Sequence, residues 1–155
     1  MLEIKQPAPE FNAPNQDDTP IKLSDFIGKQ NVVLYFYPKD DTPGCTIEAN
    51  QFTALADAFS KLDTAIIGVS KDNCDSHRAF IDKYSLNLQL LADTDGKICE
   101  QYGVWQLKDK GGVKKPGIVR STFIIDKDGK LADIEYGVNA EGHAQAVLDK
   151  IKNMH

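Results

Sequence analysis

The sequence predicts an α/β domain, a central mixed β-sheet with helices packed over it, and three observations carry that prediction. Val32 to Tyr37, Ala65 to Val69 and Ser121 to Ile125 are short runs of mostly β-branched, aromatic and aliphatic residues. Such runs mark strands buried on both faces. Between the first two, the apolar period lengthens to three and four at Cys45, Ala49, Phe52, Ala56 and Phe59, the signature of an amphipathic helix. Strands and helices then alternate along 155 residues, which is about one domain's worth of chain, so 1–155 is read as a single domain.

The elements follow in order. The first 30 residues are rich in Pro, Asn, Asp and Gln and read as an arm or hairpin leading into the domain. Val32 to Tyr37 is the central strand, ended by Pro38, and Asp40, Asp41, Thr42, Pro43 and Gly44 supply turn chemistry. One helix is expected from Cys45 to about Leu62, then a strand at Ala65 to Val69. Asp72 or Asn73 caps the next helix, whose apolar face carries His77, Phe80, Ile81 and Tyr84. A short strand at Leu88 to Leu91 and a short helix at Asp95 to Tyr102 come next, and Gly111 to Gly117 reads as a mobile loop. Ser121 to Ile125 and Leu131 to Tyr136 form a hairpin about the tight turn Asp126 to Gly129. A C-terminal helix starts near Ala140, with Ala144, Val147, Leu148 and Ile151 on one face. The closing ββα half matches the thioredoxin arrangement.

Composition narrows the function. Eighteen basic and 23 acidic residues give a net charge of −5. That sign disfavours nucleic acid and anionic membrane surfaces, both of which are bound through excess Lys and Arg. The lysines at 108, 110, 114 and 115 are read as solvated, since no aromatic residues interleave them. No apolar run approaches the roughly 20 residues of a membrane span. No basic-then-apolar leader opens the chain, so a cytoplasmic location is expected. Three cysteines, Cys45, Cys74 and Cys99, make no disulfide framework and suggest free thiols. Cys74 and His77 have a zinc-like spacing, yet no second pair follows to complete four ligands, so no metal and no cofactor is expected. His77 is read as a core histidine, and His143 and His155 as solvent residues.

Cys45 stands where a buried strand hands over to a helix. There, free backbone N–H groups and the helix dipole favour negative charge. An ordinary thiol titrates near 8.5, and a helix terminus alone supplies about 0.3–1 kcal/mol, so thiolate chemistry needs a cation as well. On position alone, a reactive thiol and a small buried hydrophobe are equally good readings. The surroundings decide between them. Pro38, Thr42 and Cys45 make a Pro-x-x-x-Thr-x-x-Cys pattern directly after the strand, and Arg120 precedes the later strand Ser121 to Ile125. Together with Gly68-Val-Ser70, Leu91-Ala-Asp93 and Tyr102-Gly-Val-Trp105, these segments resemble the peroxiredoxins, in particular the bacterioferritin comigratory protein or peroxiredoxin Q subfamily, over nearly the whole chain.

The resemblance implies a thioredoxin-like fold with an N-terminal β-hairpin extension and a thiol-dependent peroxidase acting on hydrogen peroxide and organic hydroperoxides. It casts Cys45 as the peroxidatic nucleophile. Arg120 would stabilise the charge, Thr42 would hydrogen-bond sulfur or peroxide, and Pro38 would shield the sulfur. Gly44 would supply a backbone donor, and Glu48 would orient Arg120. Many members place a resolving cysteine at the positions of Asn50 or Ile81, and here neither carries a thiol. A one-cysteine cycle follows, regenerated by thioredoxin, glutaredoxin or a low-molecular-weight thiol, in a monomer. A two-cysteine cycle with Cys74 resolving is the alternative. A sensor or holdase with little turnover is another. A disulfide oxidoreductase would need Cys-x-x-Cys, and position 48 is Glu. Tyr102 and Trp105 either line the pocket mouth or pack at the end of the short helix.

Overall fold

In the computed structural model, residues 2–154 are described, Lys110 by its backbone. The chain opens with a small hairpin, β1 (Asn12–Pro14) and β2 (Pro20–Lys22), followed by a 3₁₀ turn and β3 (Asn31–Phe36). Helices α1 (Pro43–Ala54) and α2 (Ala56–Lys61) lead to β4 (Thr64–Ser70) and α3 (Cys74–Tyr84). Then come β5 (Gln89–Ala92), α4 (Lys97–Gln101), β6 (Trp105–Lys110) and β7 (Val113–Ile118). The chain closes with β8 (Ser121–Ile125), β9 (Leu131–Tyr136) and α5 (His143–Asn153). The main sheet has the order β5-β4-β3-β8-β9. Its three strands β3, β4 and β5 are parallel, and β8 and β9 are antiparallel to their neighbours. The sheet is therefore mixed, and its arrangement is thioredoxin-like, as the sequence predicts.

All six residues of β3 are buried, and the strand's period of two divides them between two cores. Val32, Leu34 and Phe36 face the first, where Phe11, Ala13 and Leu23 from the N-terminal arm meet Ile98, Cys99 and Tyr102. Val33, Tyr35 and, just past the strand, Tyr37 face the second. There Cys45, Ala49 and Phe52 of α1 pack with Phe59, Phe80 and Leu148. Cys45 and Cys99 thus lie on opposite sides of the sheet.

Three expectations are corrected. The single helix from Cys45 to Leu62 is two helices, beginning at Pro43 and interrupted at Leu55, whose φ of −102° and ψ of 5° leave the α region. Across the break Phe52 and Phe59 both face the core, with ring centroids 5.9 Å apart. The presumed mobile loop is a two-stranded ribbon, β6 paired with β7 from Trp105–Ile118 to Lys110–Val113. Its turn is Gly111-Gly112, both with positive φ, as a two-residue hairpin turn requires. His143 is buried, and its Nε2 lies 2.7 Å from the Thr122 hydroxyl. His155 falls outside the described residues. Asn73, not Asp72, caps α3 by accepting from the Ser76 N–H.

Candidate active site

The second core ends at the surface where β3 delivers the chain to α1. Pro43 occupies the first helical position, with Thr42 extended before it as the N-cap. The first backbone bond of the turn runs from Thr46 N–H to Thr42 O at 2.9 Å. The N–H groups of Gly44 and Cys45 precede it, so neither has an acceptor within the helix. Cys45 sits beside them, buried to 2 % exposure.

Arg120, at the entry to β8, reaches across to this turn. Its Nη2 donates to Cys45 Sγ at 3.3 Å and its Nη1 to Glu48 Oε1 at 2.7 Å. Cys45 and Glu48 are three residues apart, on one face of α1. One planar guanidinium therefore bridges thiol and carboxylate, a two-pronged contact that a lysine cannot make. Gly44 makes room for it: a Cβ there would stand 3.1 Å from Arg120 Nη2. Burial pushes the Glu48 carboxyl up to about 7, and Arg120 pulls it back only in part. Glu48 is fully buried, and its Oε2 has no hydrogen-bond partner. Burial works against the charge on Arg120, but Glu48 and Cys45 outweigh it and the group is held above its ordinary range.

Cys45, Arg120, Glu48 and Gly44 are thus brought together as the sequence anticipates. Thr42 is placed at the same turn, but its hydroxyl donates to Lys39 O at 2.9 Å and not to the sulfur. The N-cap geometry turns its proton toward the loop carbonyl. Pro38 lines a neighbouring groove of about 380 Å³ with Trp105, Pro116, Ile118 and the lysines 39 and 115. Trp105 lies in this groove, under the Lys71 ammonium, whereas Tyr102 is fully buried in the first core. Cys74 heads α3 in a different place. Its thiol lies 3.9 Å from Asp18 Oδ1, and burial together with that carboxylate holds it above the ordinary thiol range. The hollow beside it is lined by Ala13, Pro14, Ala92 and Ile98, which belong to the far side of the sheet or its edge. Cys99 is sealed in the first core, and burial and Asp93 raise its thiol far above the ordinary range.

One group escaped the sequence reading. Asp40 and Asp41 look like plain turn residues, yet both are tied to α3. Asp40 Oδ1 accepts from the Tyr37 hydroxyl at 2.5 Å, and its Oδ2 from Ser76 Oγ at 2.7 Å. His77 Nδ1 lies 2.7 Å from the same Oδ2, and His77 Nε2 lies 2.8 Å from Leu91 O. The Asp40 N–H donates to Asp72 Oδ2 at 2.8 Å. His77 is a core histidine as predicted, but both its ring nitrogens are engaged away from Cys74. The only signal in sequence was an aspartate pair in a turn, which is too common to single out.

The profile of the AhpC/TSA family matches residues 4–134. A putative peroxiredoxin bcp of Helicobacter pylori strain J99 is 47 % identical over 150 residues, which span 97 % of this chain and 98 % of the relative. Peroxiredoxin Bcp of Bacillus subtilis is 43 % identical over 153 residues, 99 % of this chain and 97 % of the relative. Among solved structures, a cysteine-to-serine mutant of Xylella fastidiosa PrxQ superposes with a TM-score of 0.93 at 32 % identity, over 99 % of this chain and 98 % of the other. The Xanthomonas campestris bacterioferritin comigratory protein, described in terms of alkyl peroxide reduction, gives a TM-score of 0.88 at 35 % identity, over 93 % and 91 %. A buried cysteine at a helix start, bridged by an arginine from the neighbouring strand, is thus found in a chain whose whole length aligns with such proteins, and this chain belongs to the AhpC/TSA family as a peroxiredoxin of the Bcp/PrxQ type, a peroxidase that acts on peroxides with a thiol as reductant.

Proposed function

We propose that Cys45 is the peroxidatic residue and that the enzyme runs a one-cysteine cycle. The observation that carries this is the Arg120 bridge, 3.3 Å to Cys45 Sγ and 2.7 Å to Glu48. The guanidinium stands where it can hydrogen-bond the sulfur as it attacks in its anionic form. The thiolate attacks one oxygen of the peroxide, an S–O bond forms as the O–O bond breaks, and the bond pair leaves on the second oxygen as hydroxide or alkoxide. Sulfur is oxidised to sulfenic acid and the peroxide is reduced by the same two electrons. Arg120 and the free N–H groups of Gly44 and Cys45 face the charge that develops on the oxygens. Glu48 orients Arg120. Pro38 shapes the approach, and Thr42 acts by closing the loop onto Lys39 O.

The reductant is an external thiol: thioredoxin, glutaredoxin or a small thiol. It condenses with the sulfenic acid to a mixed disulfide and water, and a further thiol releases Cys45. The positions of Cys74 and Cys99 support this cycle, since the Cys74 thiol is engaged by Asp18 and Cys99 lies in the core on the other side of the sheet. The single-domain chain acts as a cytoplasmic monomer in this reading.

Turnover of hydrogen peroxide with a thioredoxin relay tests it across Cys45→Ser, Cys74→Ser, Cys99→Ser and Arg120→Ala. The first abolishes activity and the next two retain it. Arg120→Ala slows the peroxide step by about 10²–10³-fold, the usual cost of losing one preorganised donor. A stoichiometric Cys45–Cys74 crosslink in the mass spectrum of the peroxide-treated protein would overturn the one-cysteine cycle.

A further inference from the structure

The turn that precedes Cys45 is held from outside by one helix, at both of that helix's ends. Asp40 and Asp41 are consecutive and point apart. Asp40 is buried against the first turn of α3, through Ser76 Oγ and His77 Nδ1, both at 2.7 Å. Asp41 reaches the last turn of α3, accepting from the Tyr84 hydroxyl at 2.6 Å and from Lys83 Nζ at 2.7 Å. Hydrogen bonds from Lys83 and Tyr84 hold the Asp41 carboxyl below its usual range. Asp41 also has a φ of 58°, a left-handed conformation that the surrounding contacts must maintain. The clamp is itself anchored: His77 Nε2 is fixed on Leu91 O of β5, and Asp72, which receives the Asp40 N–H, also accepts from Ser70 Oγ at the end of β4. Between these anchors and Cys45 stand only Thr42, Pro43 and Gly44. Pro43 has a fixed φ and Thr42 is tied back to Lys39. Orientation imposed at Asp40 and Asp41 is therefore passed to the first turn of α1. The opposite partner, Arg120, comes from another strand and holds the same turn from its other side, through Cys45 and Glu48.

We propose that Asp40, Asp41, Ser76, His77 and Tyr84 are positioning residues for the peroxide step, a two-point clamp by which α3 sets the height of the Cys45 sulfur beneath Arg120. This rests on the reading of Cys45 as the nucleophile. None of the five touches the reacting atoms. Loosening the clamp does not remove the thiol, the guanidinium or the helix N-terminus; it leaves the turn carrying the sulfur held by Arg120 alone, free to shift from the geometry that the two anchors set. An ångström of misplacement at a reacting group is enough to cost about 10²-fold.

The test compares wild type with Tyr84→Phe, Ser76→Ala, the double variant, Asp41→Ala and Asp41→Asn. Three quantities are read: the second-order rate of oxidation by hydrogen peroxide, the rate of alkylation by neutral iodoacetamide, and amide exchange over residues 46–49. The far-UV spectrum and melting curve establish that each variant is folded. The expected result is unequal loss. Peroxide oxidation falls about tenfold in the double variant and in Asp41→Ala. Alkylation, which needs the anionic sulfur but no oxyanion site, falls less, and exchange at 46–49 speeds up. Asp41→Asn, which keeps an acceptor and tolerates positive φ, restores most of the peroxide rate. Two results would overturn the clamp: faster exchange with an unchanged peroxide rate, or equal loss of both reactions in proportion to destabilisation. Failure of the underlying reading shows separately, as wild-type peroxide turnover that survives Cys45→Ser.

Discussion

Glu48 is the residue at which this site departs most from a simple ion pair. One of its oxygens is held by Arg120 and the other has no partner, in a place that water does not reach. Burial raises the carboxyl from 4.5 to about 7. Between those values the folded protein keeps a proton that the unfolded chain has already lost. Stability contributed at this position is therefore greatest at low pH and falls as pH rises through the window. Glu48→Gln removes the titration while keeping a carbonyl for Arg120 Nη1. Denaturant melts from about pH 4.5 to 7.5 should show a shallower decline for the variant than for wild type. An unchanged slope would mean that the carboxyl is ionised throughout. Because the amide still orients Arg120, peroxide oxidation should suffer less in Glu48→Gln than in Arg120→Ala.

At the scale of elements, the β6–β7 ribbon shows how a local signal can be outweighed by composition. Its strands carry few β-formers and several lysines, and Lys108 faces Lys115 directly across the pair. Like charges opposite one another oppose pairing, and an isolated two-stranded ribbon is marginal in water. That composition, together with Gly111-Gly112, reads as a loop, although the same dipeptide also favours a two-residue hairpin turn. Gly112→Ala places a side chain at a φ of 85°, a conformation that costs an L-residue about 1–2 kcal/mol. Amide exchange in 105–118 should accelerate while the global melting point stays within a degree or two, because the ribbon lies outside the main sheet. A large fall in melting point would show that the ribbon and the sheet unfold together. The Leu55 break is the reverse case: Phe52, Ala56 and Phe59 keep helical spacing across it, so nothing in the pattern could reveal it.

At the scale of the molecule, the buried strands were legible because β3, β4 and β8 are apolar on both faces, and a strand of that kind has nowhere to go but the middle of a sheet. The Cys45–Arg120 pairing was legible only by resemblance, since 75 residues separate the two and no periodicity connects them. The clamp on Asp40 and Asp41 was not legible, because Ser76 and Lys83 are ordinary surface types and His77 and Tyr84 read as members of the apolar face of α3. Division of the core by the sheet also separates stability from chemistry. Phe36 packs on Tyr102 and edge-on to Phe123, with centroids 5.4 and 5.6 Å away, on the side of the sheet away from Cys45. Phe36→Ala should cost about 3–5 kcal/mol and lower the melting point by roughly 10 °C. Its peroxide rate at room temperature should stay near wild type, and a matching loss of rate would show that the two cores are mechanically coupled.

The chain has a single tryptophan, and it lies at the groove that Pro38 lines, with the Lys71 ammonium 4.2 Å above its ring. Emission from that indole comes from one place only. Whatever docks in that groove, or displaces the lysine from the ring, changes the fluorescence of the unlabelled protein, so the molecule carries its own optical gauge of traffic along the face that Pro38 borders.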